Sequence, residues 1–249
     1  MSLSCLIIVR NEENNLEKCL PNLIFSDEIV VVLDRSTDNS KEISKKFSNS
    51  IFEGNWEFEG DRRNFGINKC SMKWILEVDA DEIISKNLAE EIVKITEKSN
   101  YDYHYIKLIN YIGNNPIKNG WMACLAPDGK FALFKKASKI WSNQRVHPDY
   151  LLSGQKGPVL KFPIDHYMSQ DTSDLLIRFN RNTDLRALDI AEKNEFKKKD
   201  LSVRKIFSRF FKCYILRKGF KDGMIGFLIS ILCSLYNIIS AIKSKYVLK

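Results

Sequence analysis

Residues 74–82 read WILEVDADE, and they decide the fold of this 249-residue chain. The first five are mostly apolar, and the run then ends in three carboxylates set around Ala80. A continuous apolar run of strand length is typical of a strand that is buried on both faces, as in parallel sheets. Two earlier runs share this character, LSCLIIV at residues 3–9 and IVVVL at residues 29–33, and polar residues follow both of them.

Helical patterns separate these apolar runs, and they cover residues 16–23, 41–47 and 62–73. Strands alternating with helices predict an α/β fold in which helices cover both faces of a parallel sheet. Residues 101–111 alternate apolar and polar side chains and predict a further strand. Turn signals follow this strand, so the middle third is expected to be mixed and partly antiparallel.

The basic residues are concentrated near the end of the chain. The net charge is +8, from 39 Lys and Arg against 31 Asp and Glu, yet residues 193–249 alone hold 14 basic residues against 3 acidic ones. A nucleic-acid-binding protein usually spreads its basic residues over the folded body, so this distribution argues against such a partner. The six cysteines form no C-x-x-C pair and the first residues lack a signal-peptide pattern, so we expect a reduced, cytoplasmic protein.

The last part of the chain has a distinct pattern. Residues 224–242 contain no charged residue, a length that is just enough to span a bilayer. Small or polar residues recur at helical spacing along one stripe: Ser230, Ser234, Asn237 and Ala241. This pattern favours a helix that lies in the membrane interface over a packed cap, and either of these over a membrane span. Residues 203–221 mix basic and aromatic side chains and predict attraction to an anionic membrane, with a basic helix covering the chain's own acidic body as the alternative.

A pair of carboxylates marks the end of the 74–78 run. Asp79 and Asp81 are two residues apart, where they can share one divalent cation. Mg²⁺ and Mn²⁺ prefer oxygen ligands and bridge substrate phosphates, and open α/β sheets bind ligands at the carboxyl ends of their strands. The alternative is an acidic turn that caps the next helix.

Other polar residues are expected at the same edge of the sheet. Asn11 and Glu12 follow the first strand, and Asp34 follows the second. Since the carboxyl ends of parallel strands meet at one edge, these residues should lie near Asp79. The helix before the 74–78 strand adds two hydrogen-bond donors suited to phosphate or base edges, Arg63 and Asn64.

These motifs match a known family. The chain resembles family 2 glycosyltransferases of the GT-A fold in four motifs and their order: SCLIIVRNEE at residues 4–13, EIVVVLDRSTDNS at 28–40, RRNFG at 62–66 and WILEVDADE at 74–82. Later stretches are similar to the branch that builds the lipopolysaccharide core, the β-1,4-glucosyltransferase type: RVHPD at 145–149, DHY at 165–167 and YILRKGFKDGMIG at 214–226.

The resemblance implies a fold and a function. It implies a GT-A domain with a Rossmann-like mixed sheet over residues 1–170, followed by a helical, membrane-associating extension over residues 171–249. It implies transfer of a hexose from a nucleotide-diphospho-sugar, with a UDP-sugar favoured, to a lipid-linked or lipopolysaccharide-type saccharide. The mechanism implied is a metal-assisted, inverting single displacement, carried out on the inner face of the cytoplasmic membrane.

The resemblance also implies roles for the residues at the sheet edge. The nucleoside would contact Asn11, Glu12 and Asp34, with Arg63 and Asn64 beside it. Asp79 would reach the ribose or metal-bound waters. Asp81 would hold a Mg²⁺ or Mn²⁺ ion, and His166 would be a further metal ligand.

An inverting transfer needs a base that takes the proton of the acceptor hydroxyl. Asp149 is the predicted base and Glu82 the reserve. The family's D-x-G-S-T-D motif has Leu33 at its first position here, and the branch's V-H-E motif reads Val-His-Pro-Asp at 146–149. These departures keep open an inactive membrane-docked scaffold that binds a nucleotide sugar. A haloacid-dehalogenase-like phosphotransferase, ranked lower, also stays open, because a strand followed by D-x-D describes its nucleophile loop as well.

Overall fold

The computed structural model describes residues 2–146, 148–194, 196 and 201–246. His147, which adjoins the predicted base, lies outside the described residues. So does the sequence KKKD at residues 197–200, a charged stretch that predicts a solvated hinge. The chain divides into two units. Unit 1 comprises Met1–Leu108, Gly129–Gln144 and Pro148–His166, and unit 2 comprises Ile109–Asp128, Arg145–His147 and Tyr167–Lys249. The division predicted at residue 170 stays a prediction.

Unit 1 is built on the predicted parallel strands. They are β1 (Leu3–Val9), β2 (Glu28–Asp34), β3 (Ser50–Gly54) and β4 (Trp74–Asp79), and they lie in the order β3-β2-β1-β4. Val9 pairs with Leu33, and Ile8 pairs with Asp79. The strands β1, β2 and β4 are therefore neighbours that end at nearly the same level.

The second half of the sheet is mixed, as the turn signals predicted. Its strands are β5 (Glu82–Ile83), β6 (Tyr103–Ile112), β7 (Asn115–Ile117), β8 (Gly129–Lys135) and β11 (Ile164–Ser169). Strand β8 runs antiparallel to β4, and the order continues β8-β6-β11-β5, with β7 paired to β6. A separate antiparallel hairpin consists of β9 (Lys139–Trp141) and β10 (Tyr150–Leu152).

Strand β3 is absent from the sequence-based prediction, which placed the D-x-D motif after a third strand. The motif follows the fourth strand of the chain instead. Residues 50–54 read SIFEG, and they lie at the edge of the sheet, where all five are only partly buried or exposed. Such a short, partly polar edge strand has no continuous apolar run that would reveal it.

Helices cover both faces of the parallel strands, as predicted. Unit 1 contains α1 (Glu13–Cys19), a 3₁₀ turn (Leu20–Leu23), α2 (Ser40–Lys45), α3 (Glu59–Lys69) and α4 (Lys86–Lys98). Alternate residues of β1 point to opposite faces. Ile7 packs in one core cluster with α1 and α4, whereas Leu6 packs in another with Ile67 of α3.

Unit 2 contains mainly helices. They are α5 (Thr172–Glu192), α6 (Val203–Phe211), a π-helical turn (Lys212–Leu216), a 3₁₀ turn (Gly219–Asp222) and α7 (Gly223–Lys243). Ile229, Cys233 and Tyr236 of α7 pack in one buried cluster with Phe179 of α5. The segment Gly219–Lys243 is long and apolar enough to cross a membrane, judged by length and composition, and half of its most apolar stretch is buried in the structure.

Candidate active site

The loops that follow β1 and β2 are joined by hydrogen bonds. Asn11 adopts a left-handed backbone with φ of 56°, a conformation that Asn tolerates better than most residues. Its side-chain Oδ1 accepts a bond of 2.8 Å from the backbone N–H of Thr37, and its own N–H donates to Ser36 Oγ at 3.2 Å. The N–H of Glu12 donates to Ser40 Oγ at 3.0 Å. Asn11 and Glu12 therefore lie at the predicted edge, beside the end of β2.

Asp34, the last residue of β2, is buried between two arginines. Its carboxylate accepts bonds from Arg35 Nε at 3.0 Å, from Arg62 Nη1 at 2.9 Å and from the N–H of Trp56 at 3.2 Å. Burial acts to raise the pKa of Asp34, but the hydrogen bonds and charges of these neighbours lower it below the ordinary value. Asp34, to which the family resemblance assigns a contact with the nucleoside, is therefore ionised and held in place.

Arg63 connects helix α3 to the end of β4. Its guanidinium donates to Glu59 at 2.9 Å, to Glu77 at 2.8 Å and to Asp79 at 3.0 Å. The same group lies 4.9 Å from the centre of the Trp141 ring, an arrangement in which a cation is attracted to the ring face. The predicted donor Arg63 thus directly follows Arg62, which contacts Asp34, and itself contacts Asp79.

Asn64 points away from the sheet edge, toward the β9–β10 hairpin. Its Nδ2 donates to the carbonyl oxygen of Trp141, and its Oδ1 accepts from the N–H of Trp141, both at 2.9 Å. The amide therefore makes a two-bond link between α3 and the backbone of β9. In this position Asn64 fastens the hairpin to the helix.

Lys130 lies between the carboxylates of Asp79, at the end of β4, and Glu82, at the start of β5. Its Nζ donates to Asp79 Oδ2 at 3.0 Å and to Glu82 Oε2 at 2.7 Å, and the N–H of Asp79 also donates to Glu82 at 2.9 Å. Burial and the charge of Asp79 raise the pKa of Glu82 despite the opposing effect of Lys130. The pKa of Asp79 is far below its ordinary value, because Lys130 and Arg63 outweigh its burial.

A second buried lysine continues this pattern of charges. Lys139 is 2% exposed, and its Nζ donates to Glu77 at 2.7 Å and lies 4.0 Å from the centre of the Trp141 ring. Burial lowers the pKa of Lys139 to about 8, although Glu77 opposes that change. Cations and anions alternate along the contacts, and we call this set the ion chain: Lys139, Glu77, Arg63, Asp79, Lys130 and Glu82.

Asp81 and His166 face each other across the paired strands β5 and β11. His166 pairs in register with Glu82, and its Nε2 lies 3.6 Å from Asp81 Oδ1. Both side chains are mostly buried, at 14% and 13% exposure. Burial acts to lower the pKa of His166, but the charges of Asp81, Glu82 and Asp79 raise it above the ordinary value.

The Asp81–His166 pair fits part of a metal site. One carboxylate oxygen and one imidazole nitrogen are donors that Mn²⁺ accepts, and Mg²⁺ and Mn²⁺ sites commonly add water and substrate phosphate oxygens. Within the described residues, no group of three or more His, Cys, Asp or Glu side chains is arranged to hold a metal ion. The protein would thus supply two ligands, and a bound diphosphate with water would supply the others.

Asp149, the predicted base, is exposed on the loop between β9 and β10. Its backbone is fixed, since its N–H donates to Gln144 Oε1 at 2.9 Å and its carbonyl accepts from the N–H of Ser142 at 2.8 Å. The carbonyl of Gln144 in turn accepts from the N–H of Glu59 at the start of α3 at 2.9 Å. The loop that carries Asp149 is therefore tied to the helix that carries Arg63.

The structure thus brings most of the predicted residues to one edge. Asn11, Glu12, Asp34, Arg63 and Asp79 lie along the ends of β2, β1 and β4, and Asp81 and His166 lie just beyond Asp79. The sequence-based prediction did not include five residues that hold this edge together: Arg35, Arg62, Glu77, Lys130 and Lys139. Three of them lie inside the quoted motifs, Arg35 after Asp34, Arg62 as the first residue of RRNFG and Glu77 within WILEVDADE, whereas Lys130 and Lys139 lie outside those motifs.

Comparison with known proteins settles the family. The sequence profile of glycosyl transferase family 2 matches residues 4–144, which is more than half of the chain. The chain belongs to glycosyl transferase family 2. This family 2 enzyme is 24% identical to an uncharacterized glycosyltransferase of Rickettsia conorii, over 99% of this chain and 93% of the relative. It is 22% identical to the lipopolysaccharide core biosynthesis glycosyltransferase LpsC of Rhizobium meliloti, over 98% of this chain and 92% of LpsC.

A solved structure supports the fold of the family 2 enzyme. Residues 1–349 of Staphylococcus aureus TarS, crystallised with UDP-GlcNAc, align with a TM-score of 0.53 and 14% identity, over 99% of this chain and 91% of that chain. At this identity the likeness concerns the fold alone. The predicted GT-A fold with C-terminal helices and the predicted glycosyltransferase class are both confirmed.

Proposed function

We propose that this family 2 glycosyltransferase moves a hexose from a nucleotide-diphospho-sugar, by preference a UDP-sugar, to a saccharide of lipopolysaccharide or another cell-surface glycan. The observation that carries the proposal is the charged edge at the ends of β1, β2 and β4, where the Asp81–His166 pair lies next to Asp79. The name of LpsC supports the acceptor class, and the UDP-GlcNAc complex of TarS supports the donor class.

The donor would lie along this edge. Asn11, Glu12 and Asp34 would face its nucleoside, and Asp79 its ribose. Asp81 and His166 would hold a Mg²⁺ or Mn²⁺ ion, which stabilises negative charge on the departing diphosphate. Arg63 and Lys130 each hold one oxygen of the Asp79 carboxylate, so Asp79 presents a fixed acceptor without a change of conformation.

Asp149 would act as the base of an inverting displacement. The acceptor oxygen attacks the anomeric carbon, the bond from that carbon to the diphosphate oxygen breaks, and the hydroxyl proton passes to the Asp149 carboxylate. The reserve residue Glu82 is 1% exposed and bonded to Lys130, so an acceptor hydroxyl would have to displace Lys130 to reach it. Exposure therefore favours Asp149 over Glu82.

The donor site is tested by calorimetry with UDP-, GDP-, CMP- and dTDP-sugars, with and without Mn²⁺. We expect one nucleotide sugar to bind in a metal-dependent way, and Asp81→Asn and His166→Gln to weaken that binding at least about tenfold. Asp61→Asn is the matched control, because Asp61 is an exposed carboxylate on α3 of the same unit. Binding that ignores both the metal and Asp81 would refute the assigned donor site.

The base is tested by comparing Asp149→Asn with Glu82→Gln. General-base catalysis is worth roughly 100- to 10,000-fold, so Asp149→Asn should lower kcat by that order and leave donor affinity unchanged. Donor binding with no transfer to lipid-linked or lipopolysaccharide-type saccharides in the wild-type protein would favour the inactive scaffold instead. The family assignment leaves the phosphotransferase alternative without support.

The proposed acceptor places the enzyme on a membrane. Lipopolysaccharide precursors and lipid-linked saccharides are membrane-bound, so the enzyme would work peripherally on the inner face of the cytoplasmic membrane. The basic residues near the end of the chain, 14 against 3 acidic ones over residues 193–249, support that location.

A further inference from the structure

Unit 2 exposes large apolar side chains in a row along the chain, from α6 through the two turns that follow it to the first turn of α7. Phe207 is 71% exposed, Leu216 is 65% exposed and Met224 is 81% exposed. Large apolar side chains that cluster at a surface mark an interaction site, whereas single ones need no explanation. We call this group the exposed row, and its members are Val203, Phe207, Phe211, Leu216, Phe220 and Met224.

The spacing of the row places its first members on one side of α6. Val203, Phe207 and Phe211 are four residues apart, and residues at this spacing are neighbours on a helix surface. The helix therefore presents a continuous apolar stripe to solvent rather than isolated side chains. A stripe with charged residues beside it is the pattern of a helix that lies in a membrane interface.

The other side of α6 already has its partners. Phe210 stacks on Tyr214 at 5.3 Å between ring centres and meets Phe227 of α7 edge-on at 5.7 Å. Arg209 Nε donates to the carbonyl of Cys233 in α7 at 3.1 Å. Because α6 is fixed to α7 through these contacts, the exposed row is held outward by a supported helix.

Basic residues surround the exposed row. Residues 203–224 contain seven Lys and Arg against one acidic residue, Asp222. Arg204, Lys212, Lys218 and Lys221 are exposed. Apolar side chains suit the boundary between headgroups and acyl chains, and Lys and Arg suit anionic headgroups, so the two features together fit an anionic lipid surface. A second copy of this chain would bring the same positive charges against each other.

Helix α7 has a different role, although it is the more apolar segment. Its Ser230 and Ser240 are buried, and their hydroxyls donate to carbonyls one turn earlier at 2.7 and 2.8 Å. Tyr236 packs edge-on against Phe179 of α5, with ring centres 6.1 Å apart. One face of α7 thus lies in the core of unit 2, and membrane insertion would remove that face from its core contacts.

We propose that α6, the two turns that follow it and Met224 at the start of α7 dock unit 2 in the plane of an anionic membrane, while the rest of α7 stays packed in unit 2. The docking gives the proposed transferase access to a membrane-bound acceptor, and in that respect it rests on the proposed function. The surface itself is defined by exposure and charge and is testable without any donor or acceptor.

The test is flotation of the purified full chain with two kinds of vesicle, one of phosphatidylethanolamine with a quarter phosphatidylglycerol and one of phosphatidylcholine alone. We expect binding to the anionic vesicles only, and weaker binding in 0.5 M NaCl, because salt screens the attraction. Removing charge with Lys212→Gln, Lys218→Gln and Lys221→Gln together should weaken binding roughly 100-fold, since each cation near the surface contributes about a factor of five. Removing apolar area with Phe207→Ser, Leu216→Ser and Met224→Ser should weaken it at least about tenfold.

Matched controls separate the surface from general charge and apolarity. Lys46→Gln, Lys86→Gln and Lys98→Gln remove three exposed lysines from unit 1, and Ile140→Ser with Leu151→Ser removes two exposed apolar residues there. Both control variants should bind vesicles as the wild type does. Circular dichroism and calorimetric donor binding, unchanged in every variant, show that the fold and the donor site are intact.

Four outcomes would overturn the proposal. The first three are equal binding to both vesicles, binding as strong as that of the wild type in both the lysine variant and the Phe207, Leu216 and Met224 variant, and a concentration-dependent dimer that these variants dissociate. Extraction from vesicles only by detergent and not by salt or alkaline carbonate would indicate that α7 inserts instead. Since donor binding is measured on the same samples, failure of the docking and failure of the transferase assignment are told apart.

Discussion

Replacing Lys130 with Met tests the ion chain most directly. The Lys130 ammonium group contacts both Asp79, whose side chain is 32% exposed, and Glu82, whose side chain is 1% exposed. Asp79 keeps Arg63 as a partner in this variant. Glu82 keeps only the N–H of Asp79 among the contacts described above, so the loss falls mainly on Glu82.

The size of the loss follows from how Glu82 can respond. Removing one partner of a buried pair costs about 3–5 kcal/mol, because the other charge stays buried. Glu82 can escape that cost by binding a proton, and holding a carboxyl protonated costs about 1.4 kcal/mol for each pH unit above its unfolded pKa of about 4.3. The cost is therefore limited to about 5 kcal/mol at pH 8 and to about 1 kcal/mol at pH 5.

The sign of the pH dependence is fixed by the direction of the shift. The pKa of Glu82 is raised in the folded state, so Glu82 lowers the stability of the protein at pH values above its unfolded-state pKa. This loss of stability disappears as the pH falls, because Glu82 then becomes protonated in both the folded and the unfolded state. Lys130→Met removes a positive charge that lowers the pKa of Glu82, so this pKa rises further in the variant. As the pH falls from 8 to 5, the free energy of unfolding of the variant should thus approach that of the wild type.

Urea unfolding followed by tryptophan fluorescence measures these free energies. Lys130→Met should lose about 3–5 kcal/mol at pH 8, and adding Glu82→Gln should restore most of it, because a neutral amide replaces the stranded charge. Lys135→Met is the control on the same strand, since Lys135 pairs with the partly exposed Asp102 and such pairs are worth about 0–1 kcal/mol. A loss below about 1 kcal/mol at pH 8, or the same loss at pH 5 and pH 8, would refute the reasoning.

Two further predictions concern a thiol and a glycine. Cys124 should be alkylated by iodoacetamide with a midpoint near pH 7. Its contact with Cys233 and the charge of Arg209 lower the pKa of this thiol to about 7, against the effect of burial. Burial raises the pKa of Cys5 and Cys70 to about 12, so these thiols should not react in the same pH range. Peptide mass spectrometry against pH measures this, and a midpoint that does not rise in Arg209→Gln would contradict it. Gly60→Ala should destabilise the protein by about 1–3 kcal/mol, because the new Cβ would overlap the carbonyl oxygen of Ser142. Without such an overlap, replacing Gly with Ala in a helix ordinarily stabilises a protein. Asn68→Ala, an exposed change in the same helix, is the control in urea unfolding, and an unchanged or higher stability of Gly60→Ala would contradict the clash.

The strands that carry the site were predictable because each is an uninterrupted apolar run. Val30, Val31 and Val32 of β2 are all fully buried, so both faces of the strand require apolar residues and the pattern is visible in the sequence. Strand β3 lacks such a run, since it lies at the sheet edge and includes Glu53. Burial on both faces is thus what made three of the four parallel strands visible.

The sheet-edge residues were predictable because their position follows from topology. A residue just past a buried parallel strand must lie at the carboxyl edge, so Asn11, Asp34 and Asp79 could be grouped without knowledge of any contact. His166 required the family resemblance, because its strand β11 comes late in the chain and reaches Asp81 only through pairing with β5. Spacing along the sequence carries no information about that pairing.

Lys130 and Lys139 were not predictable from sequence, for a reason that concerns their side chains. Both occur in strands with apolar neighbours, FALF after Lys130 and Ile140-Trp141 after Lys139, so each reads as a residue on the solvent side. Their ammonium groups are instead matched to Glu77, Asp79 and Glu82, carboxylates that lie on β4 and β5. A buried lysine is stable only where carboxylates from other strands compensate its charge, and that compensation exists only once the sheet has formed. The acidic strand end that identifies the site in the sequence therefore implies buried cations, but only the three-dimensional pairing shows which ones.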